Sequence, residues 1–290
     1  MPLIYGTRYP SSMSAALALI SSLFWGSADY LAGNLSKRYA AIAVTGVTQS
    51  FGLLIGMTIA LFGNSFFAPT LHWNNYFLPG VFAGVCGFLG LISYYSGLAT
   101  GRMGVVAPIS SLSAVIPLIY AFVRGERPAG IEVAGIVIAL IGAFCASGPE
   151  VIKGVPLKPL AFGLGAALGF GAALAFMAEG SKSSPIMTMT TMRLTTVSVC
   201  VLLALRYKTM GGFKRIDLPT LVVIGAADFL ANYFLGVATT KGMVSVAMIL
   251  GSLFPIVTVL LAYKFLHERL HKVQYFGVFC AVLGVALISL

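Results

Sequence analysis

The chain predicts an all-α integral membrane protein, with ten transmembrane helices forming two inverted five-helix repeats around a central cavity. Three observations carry this. First, 59% of the 290 residues are hydrophobic and only 9% are charged, where a soluble domain has roughly 25% charged. Second, the apolar residues fall into ten runs of about the length that crosses a bilayer. Third, the second half repeats the first. At a shift of 142, Glu126 falls on Glu268, Arg127 on Arg269, Gly135 on Gly277 and Gly142 on Gly284. Residues 94–100 (YYSGLAT) also match 233–239 (YFLGVAT), and FWGSADYLAGNLSK (24–37) resembles FGAALAFMAEGSK (170–182).

The spans read as 13–35, 40–63, 76–99, 103–123, 129–147, 157–179, 185–205, 217–240, 242–266 and 272–290. All are expected to be helices, because a single span in lipid satisfies its backbone hydrogen bonds only by coiling. The organisation is a first repeat at 1–147, a Pro- and Gly-containing connection at 148–156 and a second repeat at 157–290. Five spans is an odd number, so tandem halves must lie upside down relative to each other.

The net charge is +10. Most Lys and Arg flank apolar runs, so they read as charges facing lipid headgroups, and no basic surface is large enough for nucleic acid. By the positive-inside rule, the richer set of loops holds twelve Lys and Arg against five, which places both termini outside. The first apolar run is too long for a signal-peptide core, so no cleavable signal is expected. Cys86, Cys145, Cys200 and Cys280 all lie in apolar runs without CxxC spacing and read as packing residues. There is no Walker A, GxSxG or HExxH motif, so neither ATP-driven transport nor an enzyme is expected, and no cofactor is implied. His267 and His271 are four apart at a membrane edge, with no acid in a span to complete a metal site.

The segment GSLFPIVTVLLAYKFLHERLHKVQYFGVFCAVLGVALI (251–288) leads from small residues to Pro255, an apolar run, Glu268–Arg269 and a Gly-spaced last span. The first half carries the same frame more loosely, with Ser113 where Pro255 stands and with Pro108 and Pro117 nearby. This pattern, with its five-plus-five duplication, resembles the EamA-type members of the drug/metabolite transporter superfamily. The resemblance implies a basket of ten helices with a cavity lined mainly by spans 1, 3, 4, 6, 8 and 9. Spans 2 and 7 are not expected to line it, and spans 5 and 10 lie at the periphery. It further implies export or exchange of small metabolites, amino acids among them, by alternating access in the cell (inner) membrane, as a monomer or weak dimer. Family members are commonly drawn with both termini in the cytoplasm, against the charge count. Within the superfamily, a lipid flippase is the alternative; a channel or a membrane-embedded enzyme is further off.

Candidate site residues follow from where polar groups interrupt apolar spans. Asp29 sits mid-span, where a carboxylate is costly unless it faces a cavity, a partner or a proton. Trp25 shares its face. Asp228 and Asn232 are four apart and share a face with Gly236. The alternative for both positions is interhelical hydrogen bonding. The repeat sets Asp29 opposite Leu174 and Asp228 opposite Leu89, so the two acids have no symmetric counterparts. Ser93, Tyr94, Tyr233 and Ser252 complete the substrate-binding candidates, with packing as the plain alternative. Asp29, Asp228 and Glu179 are the candidates for proton coupling. Arg193, the basic residue well inside a span, reads as a structural partner of Glu179 or an aspartate ahead of a substrate ligand. Pro108, Pro117 and Pro255 are candidate hinges. Glu126–Arg127 and Glu268–Arg269 read as charges that lock helix ends. The partners implied are the bilayer, a small-molecule substrate and protons.

Overall fold

The computed structural model describes residues 11–99, 106, 109–146, 157–208, 211–266 and 271–288. Among these residues the regular structure is helical throughout, with no strand. In chain order the helices are α1 Ser11–Ser36, α2 Ala41–Phe62, α3 Phe77–Ala99, α4 Ile109–Val123, α5 Gly130–Ala146, α6 Leu157–Ser181, α7 Pro185–Tyr207 and α8 Leu218–Lys241. Then come α9, in two segments, Val244–Gly251 and Phe254–Leu266, and α10 Lys272–Ile288. The candidate hinge Pro108, the acid Glu268 and His267 lie outside the described residues.

Seven of these helices (α1, α2, α3, α6, α7, α8 and α9) are long and apolar enough to cross a membrane. The others are shorter: α5 and α10 have 17 residues each, a rise of about 26 Å against a hydrocarbon core of about 30 Å. Local signals set the ends. Ser184 caps α7 by accepting a hydrogen bond from the Met187 backbone N–H at 3.3 Å, with Pro185 in the first turn.

Two inner helices are interrupted, for one reason. A proline has no N–H to give, and its ring clashes with the carbonyl four residues back. Pro117 would clash with Ser113, and α4 tightens into a 3₁₀ turn at Leu112–Ala114. Pro255 would clash with Gly251, and α9 breaks between Gly251 and Phe254. Small residues cover both bends. A Cβ on Gly171 of α6 would lie 2.6 Å from the Ser113 carbonyl, and one on Gly26 of α1 would lie 2.6 Å from the Phe254 carbonyl. Gly26 and Gly171 are equivalent positions in the repeat.

Packing follows the duplication. α3 packs on α6 as α1 packs on α8, and α4 meets α6 as α9 meets α1. α2 packs on its counterpart α7, and α5 on its counterpart α10. Along α2 and α7, Gly46 faces Cys200 while Gly56 faces Thr190, so the two run antiparallel. At the α5–α10 seam, Cβ atoms on Gly142 and Gly284 would meet the backbone of Ala281 and Ala139 at 2.5 and 2.6 Å. These crossings work because glycine lets backbones approach. The interior is rich in Ala, Gly, Ser and Thr around larger buried side chains such as Met177, Phe229 and Leu250, whereas Leu54, Phe62, Leu168, Leu202, Phe279 and Val282 point outward. Such an apolar exterior suits lipid and not water.

Candidate functional site

A cavity of about 90 Å³ lies between the helices, large enough for several waters or a compact organic molecule. It draws on eight helices. α1 gives Trp25 and Asp29; α3 gives Ala83, Gly84, Gly87 and Leu91; α6 gives Phe170, Ala173 and Leu174. α8 gives Asp228 and Asn232. Ser113 of α4 and Phe254 of α9 enter from the two helix interruptions, so each bend carries a wall of the cavity.

α2 and α7 line it too, through Gln49 and through Met192, Arg193 and Thr196. This corrects the expectation that spans 2 and 7 stay outside. The cause is the glycine-lined α2–α7 crossing. A Cβ on Gly52 would sit 3.3 Å from Arg193 Nε, so the missing side chain makes the groove along which Arg193 reaches α8. Among the described residues, α5 and α10 give none to the cavity lining.

The polar side of the cavity is a network centred on Asp228. Its Oδ2 accepts from Gln49 Nε2 at 2.7 Å and pairs with Arg193 Nη2 at 3.0 Å. Its Oδ1 accepts from Trp25 Nε1 at 3.1 Å and Asn232 Nδ2 at 3.3 Å. Both oxygens are therefore engaged, each by two donors. Asn232 also donates to the Asp228 backbone carbonyl at 2.8 Å. Only 5% of the Arg193 side chain is exposed. A buried guanidinium needs such a partner, since an unpaired charge there would be very costly. Of the two structural partners considered for Arg193, the aspartate is the one it has.

Asp29 is different. It lines the same cavity and lies close enough to Asp228 to interact electrostatically, yet among the described residues it has no hydrogen bond or ion pair. Tyr94 and Tyr95 of α3 are also within electrostatic reach of it.

Other candidates sit elsewhere. Ser93 lies in the α3–α6 seam against Gly165. Tyr94 is buried beside Tyr95 and packs its ring edge-on to Phe170, 5.8 Å between centroids, so it backs the wall without lining it. Tyr233 stacks with Phe229 and contacts Phe234. Ser252 is buried and donates to the Ile249 carbonyl at 2.8 Å, satisfying the bend of α9. Glu179 is held at the end of α6 by Lys182 Nζ at 2.7 Å, Arg124 Nη2 at 3.1 Å and the Tyr120 hydroxyl. Among the described residues, no group of three or more His, Cys, Asp or Glu could hold a metal.

Of the lining residues that the sequence did not single out, Gln49 is the one that joins the Asp228 network. It had a signal: Thr45, Thr48, Gln49, Gly52 and Gly56 form a polar and small stripe at helical spacing, and all five are buried.

The fold and site define a polytopic helical membrane protein with a cavity that has one polar side and is built from both halves of a duplicated chain. Residues 12–148 and 157–290 each match the EamA-like transporter family, and the chain belongs to that family, within the drug/metabolite transporter superfamily. It is a family of transporters, not of enzymes. A solved structure titled only "Crystal structure of protein" shares the fold with a TM-score of 0.79. It is 16% identical and covers 96% of this chain and 97% of its own. Among curated proteins, no relative matches.

Proposed function

We propose that this chain is a secondary transporter that exports a small organic metabolite, such as an amino acid or related compound, across the cell membrane by alternating access. In this reading the ten helices are ten spans. The two five-helix halves are inverted relative to each other and rock about the Asp29–Asp228 region. Support for inversion comes from the antiparallel packing of α2 on its repeat counterpart α7, since equivalent helices run oppositely only when the halves are inverted.

The observation that carries the reading is the cavity itself: it lies between the helices, has a charged and polar side around Asp29 and Asp228, and is walled by both halves. Its residues Ser113 and Phe254 sit at the interruptions of α4 and α9. Bending at those points would move the walls without breaking the rest of the packing.

The test is solute counterflow into proteoliposomes loaded with candidate metabolites. A carrier gives saturable uptake against preloaded substrate. Unitary currents would replace the reading with a channel, and lipid scrambling without solute flux would replace it with a flippase.

A further inference from the structure

The charges in the cavity do not balance, and the imbalance names a chemistry. Asp228 is neutralised by Arg193 and saturated by four donors on its two oxygens. Arg193 is almost wholly buried, with its Nε turned toward Gly52 of α2. Among the described residues, the cation in the cavity lining is Arg193, whose charge Asp228 already answers, so it is not left over for a substrate carboxylate. Asp29 is the carboxylate left without a hydrogen bond or ion pair among the described residues. The rest of the wall is mostly aromatic or apolar, with Trp25, Phe170, Phe254, Leu91, Leu174 and Met192 beside the hydroxyls of Ser113 and Thr196.

We infer that the cavity is a site for an organic cation with an apolar body, an amine or other nitrogen cation, whose charged group pairs with Asp29 and rests against the aromatic rings. The inference rests on the carrier reading above and, among small organic metabolites, puts amines in place of the amino-acid example. A lone carboxylate at membrane depth is costly and seeks a counter-charge or a proton. Aromatic faces favour a cation over a neutral isostere. The cation and the proton then compete for the same oxygens of Asp29. The other titratable groups around Asp29 are Asp228 of α8, Arg193 of α7 and Tyr94 and Tyr95 of α3. Asp228 and Arg193 answer each other's charge, and the tyrosines add none at neutral pH.

The experiment compares four probes of similar size on the purified full-length protein by calorimetry: 2-phenylethylamine, 2-phenylethanol, 3-phenylpropionate and phenylalanine. The amine is expected to bind at least about tenfold tighter than the others, and more weakly at pH 5 than at pH 8. Asp29→Asn is expected to remove that preference, and Asp29→Glu to keep most of it. Tighter binding of the carboxylate or the zwitterion overturns the inference, as does amine binding that Asp29→Asn leaves unchanged. If Asp29→Asn does not yield folded protein, the pH dependence and probe ranking of the wild type decide alone. Counterflow of the same probes separates the two readings. Amine that binds but is never transported contradicts the carrier while keeping the site; a transported zwitterion with no amine binding does the reverse.

Discussion

Arg193 of α7 and Asp228 of α8 pair at 3.0 Å inside the helix bundle, and the same guanidinium nitrogen also donates to the Asp228 backbone carbonyl at 3.3 Å. The pair ties α7 to α8 and, through Gln49 and Trp25, to α2 and α1. It organises the polar wall of the cavity and does not leave a charge waiting there.

Arg193→Met is therefore expected to cost roughly 3–5 kcal/mol, because it leaves the partly buried Asp228 carboxylate without its counter-charge. Asp228→Asn added to that variant should restore part of the loss. Equilibrium unfolding of the two single variants and the double in detergent measures the coupling. Equal stability of Arg193→Met and wild type would contradict this role.

The α5–α10 seam sets a second expectation. Gly142→Leu would drive a side chain into the Ala281 backbone, where even a Cβ would lie 2.5 Å from its nitrogen. A loss of about 1–3 kcal/mol, or failure to fold, is expected. Gly33→Ala is the control: a Cβ there meets nothing within 4 Å, and alanine favours the helix. Thermal unfolding in detergent should separate the two clearly.

Glu126 fastens the halves together. Its carboxylate accepts from the Val244 N–H at 2.7 Å and from the Ser245 N–H and hydroxyl at 3.0 and 2.7 Å. It thus caps α9 from the end of α4, as a negative charge at a helix N-terminus should. Glu126→Ala is expected to cost about 1–3 kcal/mol and Ser245→Ala less, since the two backbone bonds remain. Hydrogen exchange at the start of α9 should rise in the first variant.

The duplication, the helical class and the gathering of Asp29, Asp228 and Asn232 at one cavity were legible in the sequence, because an acid or amide inside an apolar span has few places to go. The two helix bends were legible in Pro117 and Pro255. The participation of α2 and α7 was not. It depends on a groove made by absent side chains at Gly46, Gly52 and Gly56, and a groove of that kind appears only when two distant segments meet. Ser93, Tyr94, Tyr233 and Ser252 lie off the cavity lining. Their positions depend on helix rotation, which a span with little amphipathic contrast leaves open.

The central claim is that this cavity is the path of the substrate, and filling it is the most direct test. Gly87 lines the cavity, and a Cβ there would touch only Ala173, at 3.7 Å. Gly87→Phe can therefore point its ring into the open space while the helices stay packed. Counterflow in proteoliposomes is predicted to fall to background in this variant, with its unfolding temperature close to wild type. Wild-type counterflow through the filled cavity would contradict the account.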